Sequence, residues 1–184
     1  MPRPKVHDTA LRARLLDRAA QMLSAGGPAG VSLRVLARDC GTSTTAVYSL
    51  FGGKPGLLSA LLDDASRRFT AALSAVQPDT DPLADLVRVG AAYRSAALAD
   101  PHVFDAMFGE RPDAAGDAVL TALRRLVDRA IAEEALRPGL DPAATTRTLW
   151  ATVHGWVVLQ RDGLLPAGAD VEDALRGVLD GWRA

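Results

Sequence analysis

Five side chains between Ser43 and Ser49 carry hydroxyls: Ser43, Thr44, Thr45, Tyr48 and Ser49. At helical spacing Val47, Leu50 and Phe51 share one side, which leaves Thr44, Thr45, Tyr48 and Ser49 for solvent or a partner. A face of hydroxyls without charge suits phosphate oxygens and base edges alike. Lys54 and Pro55 follow at once. Proline is preorganised for the first turn of a helix, and a lysine beside free backbone N–H groups makes an anion site. Residues for other chemistry are scattered. His154 has no Cys, Asp or Glu at i±3 or i±4, and His7 and His102 are distant, so it reads as a hydrogen-bonded histidine of the core or of an interface. Asp63-Asp64 and Glu133-Glu134 are adjacent pairs that point in different directions on a helix, hence solvated surface. There is no G-x-S-x-G, no phosphate-binding glycine loop and no zinc spacing. No catalytic residue, metal site or cofactor is expected.

The hydroxyl face needs two short helices to hold it. Ser32 can cap the first, whose Leu33, Leu36 and Ala37 fall at i, i+3, i+4 and bury one face. Gly41 stands where the chain must turn sharply, a place for a residue that tolerates positive φ. Ser43 can cap the second helix. Two apolar stripes facing each other across a glycine turn describe a helix-turn-helix. Cys40, the single cysteine, is expected on the buried side of the first helix as a small core residue; an intramolecular disulfide is ruled out.

The full pattern, S-x-x-x-L-A-x-x-C-G-T-S-x-x-A-V-Y-x-L-F-G-G-K-x-x-L-L from Ser32 to Leu58, resembles the N-terminal DNA-binding domain of the tetracycline-repressor (TetR) family of bacterial regulators. The resemblance implies a dimer that reads a palindromic operator in double-stranded DNA with the second motif helix in the major groove. Carried over by position, Thr44 and Thr45 face bases, Tyr48 and Lys54 bind phosphates, Ser43 caps or touches phosphate, and Arg34 lies at the backbone or groove edge. Leu50 departs from the aromatic or histidine common before Phe51 in the family, and cannot donate to phosphate. The W-x-x-x-H-G of Trp150, His154 and Gly155 resembles the C-terminal domain of one subgroup, called WHG. The family places its ligand pocket in the middle of the chain, where Phe69, Tyr93, His102, Phe104, Met107, Phe108, Trp150 and His154 gather, with Arg94 and Gln160 as polar anchors. A small, mostly apolar effector follows from that resemblance.

The whole chain fits this outline. Its 184 residues are 48% hydrophobic, which argues against disorder, and no apolar run reaches the roughly 20 residues that span a bilayer. With no signal-like segment, the expected compartment is the cytoplasm. Residues 1–56 carry eight Lys and Arg against three Asp, a balance of +5; the net charge of −1 leaves −6 for the rest. A basic head on an acidic body fits site-directed DNA binding better than non-specific coating. The expected fold is all-α with nine helices, a head of residues 1–53 and a body of 54–184. Residues 1–7 read as a basic arm, and Asp8 or Thr9 as the cap of a helix to about Ser24 ended by Gly26-Gly27-Pro28, its Arg12, Arg14 and Arg18 within reach of phosphates. Further helices are expected at about 54–75, 82–99, 101–108, 114–135, 142–161 and 171–182, with Asp81-Pro82, Asp100-Pro101 and Asp141-Pro142 each an N-cap followed by proline. Leu149 to Leu159 is apolar on nearly every side, and Val171, Ala174, Leu175, Val178, Leu179 and Trp182 form a stripe beside Gly177 and Gly181. Glycines inside a helix hint at close helix approach. These features point to a four-helix homodimer interface that includes Trp156, Leu175, Val178, Leu179 and Trp182. Two other classes compete: a helical small-molecule-binding or enzymatic protein with a vestigial head, and an architectural DNA-binding protein without effector control.

Overall fold

A computed structural model describes residues 5–110 and 112–184, with side chains from residue 9 to 109 and from 116 onward. The described residues form nine α-helices: α1 (Lys5–Gly30), α2 (Leu33–Asp39), α3 (Thr44–Phe51), α4 (Lys54–Ser74), α5 (Pro82–Ala99), α6 (Pro101–Glu110), α7 (Pro112–Ala132), α8 (Pro142–Arg161) and α9 (Val171–Asp180). No strand occurs among them; an isolated antiparallel bridge pairs Leu136 with Arg183.

The helix ends follow capping chemistry. Ser43 Oγ accepts from Ala46 N at 3.2 Å, Asp81 from Leu83 N at 2.9 Å, Asp100 from Val103 N at 3.2 Å and Asp141 from Ala143 N at 3.0 Å. Each bond satisfies one of the backbone donors that a helix start leaves without a partner. All three Asp-Pro pairs therefore begin helices as expected. Several boundaries differ: α6 ends at Glu110 against an expected 108, α7 runs Pro112–Ala132 against 114–135, and α9 ends at Asp180 against 182. Helical backbone already runs at Lys5, so α1 opens before Asp8; of the basic arm expected over residues 1–7, residues 1–4 lie outside the described residues. At its other end α1 is broken as the glycines dictate: Gly26 (φ −153°, ψ 19°) and Gly27 (φ 62°, ψ −170°) leave the helix, and a last turn with Pro28 follows.

The chain divides into two compact units. The first comprises Met1–Ser66 with Asp100–Pro112, the second Arg67–Ala99 with Asp113–Ala184. The expected head–body boundary, between residues 53 and 54, falls inside the first unit at the start of α4. In that unit Leu15, Leu23, Leu36, Val47 and Leu57 are wholly buried, α2 packs on α3, and α1 packs on both α2 and α6. In the second unit α5 is central and packs against α8 and α9. Gly90 lets α5 approach α9 there; a β-carbon on it would stand 2.2 Å from Leu175 Cδ1. Asp85, 2% exposed, ties α5 to α7 and to the preceding loop. It accepts from Arg88, from Arg129 Nη1 at 2.6 Å and from Asp79 N at 2.9 Å. Two guanidinium groups and a backbone amide thus answer one buried carboxylate, which is what makes its burial tolerable.

Candidate nucleic-acid interface

The expected helix-turn-helix is formed by α2, a turn at Thr42 with Gly41 at φ 65°, and α3. Burying Leu36, Ala37 and Val47 holds the two helices together. The opposite side of α3 is left open: Ser43, Thr44, Thr45, Tyr48 and Ser49 are all exposed, Tyr48 to 59%. Gly52 ends α3 in the left-handed conformation (φ 73°), its N–H bonded to Tyr48 O at 2.8 Å. A β-carbon on Gly53 would stand 3.2 Å from Tyr48 Cε1, so the bare backbone there leaves room for the tyrosine ring. Lys54 then opens α4, half-buried, and Arg34 is exposed early in α2. Ser43 caps α3 with its Oγ, as its place predicts. The structure therefore brings Arg34, Ser43, Thr44, Thr45, Tyr48 and Lys54 onto the elements that the sequence assigns them to.

Two arginines expected within reach of phosphates make contacts inside the head. Arg18 donates to Asp39 from Nε at 3.0 Å and Nη2 at 2.7 Å, linking α1 to the end of α2. With Arg38 beside it as well, the Asp39 carboxyl is held below its ordinary range, the Arg18 hydrogen bond being the larger cause. Arg12 lies over the Phe51 ring, 5.4 Å from its centroid. Cys40 is half-exposed at the α2 C-cap and not in the core; its S–H points at Arg14 O at 3.7 Å, and burial pushes the thiol up. Sequence spacing shows none of these pairings, because they join residues 20 to 40 positions apart.

In the second unit an aromatic cluster surrounds one histidine. Trp150 Nε1 donates to Tyr93 Oη at 3.2 Å, and Tyr93 Oη lies 2.8 Å from His154 Nδ1. The tyrosine hydroxyl accepts from the indole and shares one proton with Nδ1, the imidazole tautomer setting which of the two donates. Desolvation first, and the Arg161 charge second, hold His154 below its ordinary pKa and favour neutral imidazole. Burial pushes the Tyr93 phenol up. Phe69 meets the Tyr93 ring edge-on, centroids 5.0 Å apart, and the Arg94–Gln160 pair bonds at 2.6 Å. Phe104 and Met107 are buried in the first unit, where Phe104 packs on Phe108 at 4.7 Å. The expected ligand-lining residues thus belong to two units: Phe69, Tyr93, Trp150 and His154 to the second, and His102, Phe104, Met107 and Phe108 to the first.

Two family models match the chain: "Bacterial regulatory proteins, tetR family" over residues 15–61, and "Tetracyclin repressor-like, C-terminal domain" over residues 86–181. The second alone covers more than half of the chain. The chain belongs to the tetracycline-repressor family. As a member it is a transcriptional regulator with a DNA-binding fold, not an enzyme. A solved Rhodococcus sp. RHA1 protein of unknown function is 33% identical, with a TM-score of 0.80 over 93% of this chain and 92% of that one. The regulator PfmR from Thermus thermophilus shares the fold at 22% identity (TM-score 0.65; 91% and 95% covered). So does NalD, the secondary repressor of the MexAB-OprM multidrug efflux pump in Pseudomonas aeruginosa, at 22% identity (TM-score 0.68; 95% and 96% covered). No curated protein matches the chain.

For a tetracycline-repressor-family protein, the placement of the expected dimer residues needs correction. Leu175 and Leu179 are each 2% exposed, turned into their own subunit's core beside α5, and are not available to a partner chain. Val178, Trp156 and Trp182 are half-buried within the subunit. The Trp156 Nε1 atom is buried without a hydrogen-bond partner among the described residues. Trp182 lies past the end of α9, where its carbonyl accepts from Arg137 N at 2.9 Å. Gly181 is the α9 C-cap rather than an interior residue, and a β-carbon on Gly177 would meet nothing within 4 Å. Neither glycine marks a close helix approach within the subunit. On α8, one face buries Thr145, Thr146, Leu149, Val153 and Val157, while Ala151 and Leu159 are exposed on another. One residue escaped sequence reasoning altogether. A β-carbon on Gly56 would stand 1.8 Å from Phe51 O, so glycine is what lets α3 and α4 meet through their tight link.

Proposed function

We propose that the chain is a ligand-released repressor: a homodimer whose two heads read a palindromic operator and whose grip loosens when a small, mostly apolar effector binds. Residues 1–53 serve as the reading head and residues 54–184 as the regulatory and dimerising part, at work in the bacterial cytoplasm. The observation that carries this is the exposed, uncharged hydroxyl face of α3 beside half-buried Lys54. Thr44 and Thr45 contact base edges; Tyr48, Lys54, Ser43 and Arg34 position the backbone. The exposed Ala151 and Leu159 of α8, with Trp156, Val178 and Trp182, form the face offered to a second copy. Effector contacts are proposed at Phe69, Tyr93, Trp150 and His154, a largely apolar cluster with a short chain of polar atoms to orient a ligand. That NalD, with the same fold, is a repressor supports the sign of regulation. The test is selection from random duplex DNA by the full-length protein. An enriched inverted repeat bound by two copies is expected. Enrichment of single half-sites bound by one copy, or none at all, contradicts the reading.

A further inference from the structure

A cavity of about 400 Å³ lies wholly within the first compact unit, among residues of α1, α4 and α6. Leu23, Pro28, Leu58, Leu62 and Ala106 make its wall apolar, and Lys54 and Ser59 complete it. The break at Gly26 and Gly27 gives this wall its Pro28. The volume falls in the range of small-molecule sites, about 300 to 1,000 Å³. Lys54 is half-buried, and its side chain forms no hydrogen bond or ion pair with the described residues. A lysine ammonium without a counter-charge, on a residue that borders apolar walls, is the complement of a molecule with one negative group and a hydrocarbon part. Because Lys54 is the first residue of α4, the backbone N–H groups of that helix start add to the positive potential there.

We infer that this cavity binds a small amphipathic monoanion, its charged group on Lys54 and its alkyl or aryl part against Leu23, Leu58 and Leu62. Binding needs nothing from the function proposed above. Its regulatory consequence does rest on that reading: a ligand anion and a DNA phosphate draw on the same ammonium, so each weakens the other. This is a second route of control, separate from any effector held by Tyr93 and His154.

The test uses octanoate as probe and octanol as its uncharged counterpart, on the full chain without DNA. Calorimetry compares the natural protein with Lys54→Gln. In parallel, Ser59→Cys in a Cys40→Ser background places a single thiol in the cavity wall, and its rate of reaction with a maleimide reports on occupancy. Octanoate is expected to protect that introduced thiol saturably and to bind about ten-fold or more tightly than octanol, a preference that Lys54→Gln removes. Octanoate that leaves the thiol reactive, or that binds Lys54→Gln as tightly as the natural protein, overturns the inference. An operator titration separates the two readings. Protection of the thiol with operator affinity unchanged upholds the cavity and removes Lys54 from the phosphate contacts. DNA affinity that depends on Lys54 with no protection of the thiol does the reverse.

Discussion

At the scale of single residues, the side chains proposed to read DNA are separate from those that hold the head together. Thr44 and Thr45 are exposed and make no contribution to the core, so Thr44→Ala or Thr45→Ala should leave stability within about 0.5 kcal/mol and alter preference among operator variants. Competition binding between operator variants measures that. Tyr48→Phe, by contrast, should weaken binding to all sequences alike. Arg18, turned onto Asp39, should behave as a structural residue: Arg18→Ala lowers the melting temperature while the DNA salt slope changes little. Gly56→Ala should be among the most damaging changes in the head, because the 1.8 Å approach to Phe51 O is to backbone and cannot be relieved by a rotamer. Asp79 supplies a pH test. Its pKa is lowered to about 2 from 3.8, chiefly by the Arg88 hydrogen bond. A depressed carboxyl contributes stability that is present above the unfolded value and is lost as pH falls through the folded one. Acid unfolding should therefore steepen between about pH 4 and pH 2, and Asp79→Asn should flatten that limb in a thermal-denaturation series.

At the scale of elements, what was legible in the sequence is what is local. Ser32, Ser43, Asp81, Asp100, Asp141 and the prolines after three of them place helix starts to the residue, because a cap bonds to a backbone N–H two or three positions on. The helix-turn-helix was legible for the same reason: caps, the Gly41 turn and both apolar stripes lie within 27 residues. Partners far apart in the chain were not legible. Asp85 looks like an ordinary first-turn acid of α5, yet it answers Arg129, 44 residues away. Periodicity placed Leu175, Val178 and Leu179 on one stripe, but a stripe does not say which part faces the subunit's own core; the inward leucines and half-covered Val178 divide it. That division yields two predictions. Asp85→Ala should cost about 3 kcal/mol by denaturant unfolding, the low end for a broken buried ion pair because both guanidinium groups reach solvent. Val178→Asp should leave the subunit folded and shift it toward monomer in sedimentation, whereas Leu175→Asp should unfold it.

At the scale of the molecule, α4 begins at Lys54 in the first unit and continues into the second, so one helix joins the proposed phosphate contact to the proposed regulatory part. A coupling of about 1–3 kcal/mol through it would change operator affinity 5–150-fold. An effector with equal affinity for the bound and released arrangements would change nothing. The central claim, that the exposed α3 face and Lys54 dock on duplex DNA, is tested most directly by the salt dependence of operator binding, natural protein against Lys54→Ala. Each lysine–phosphate contact adds about 0.9 to the slope of log affinity against log salt, and a dimer carries two such lysines. The account predicts a slope shallower by about 2 in the variant, with weaker binding at low salt. An unchanged slope and affinity in a folded variant would contradict it.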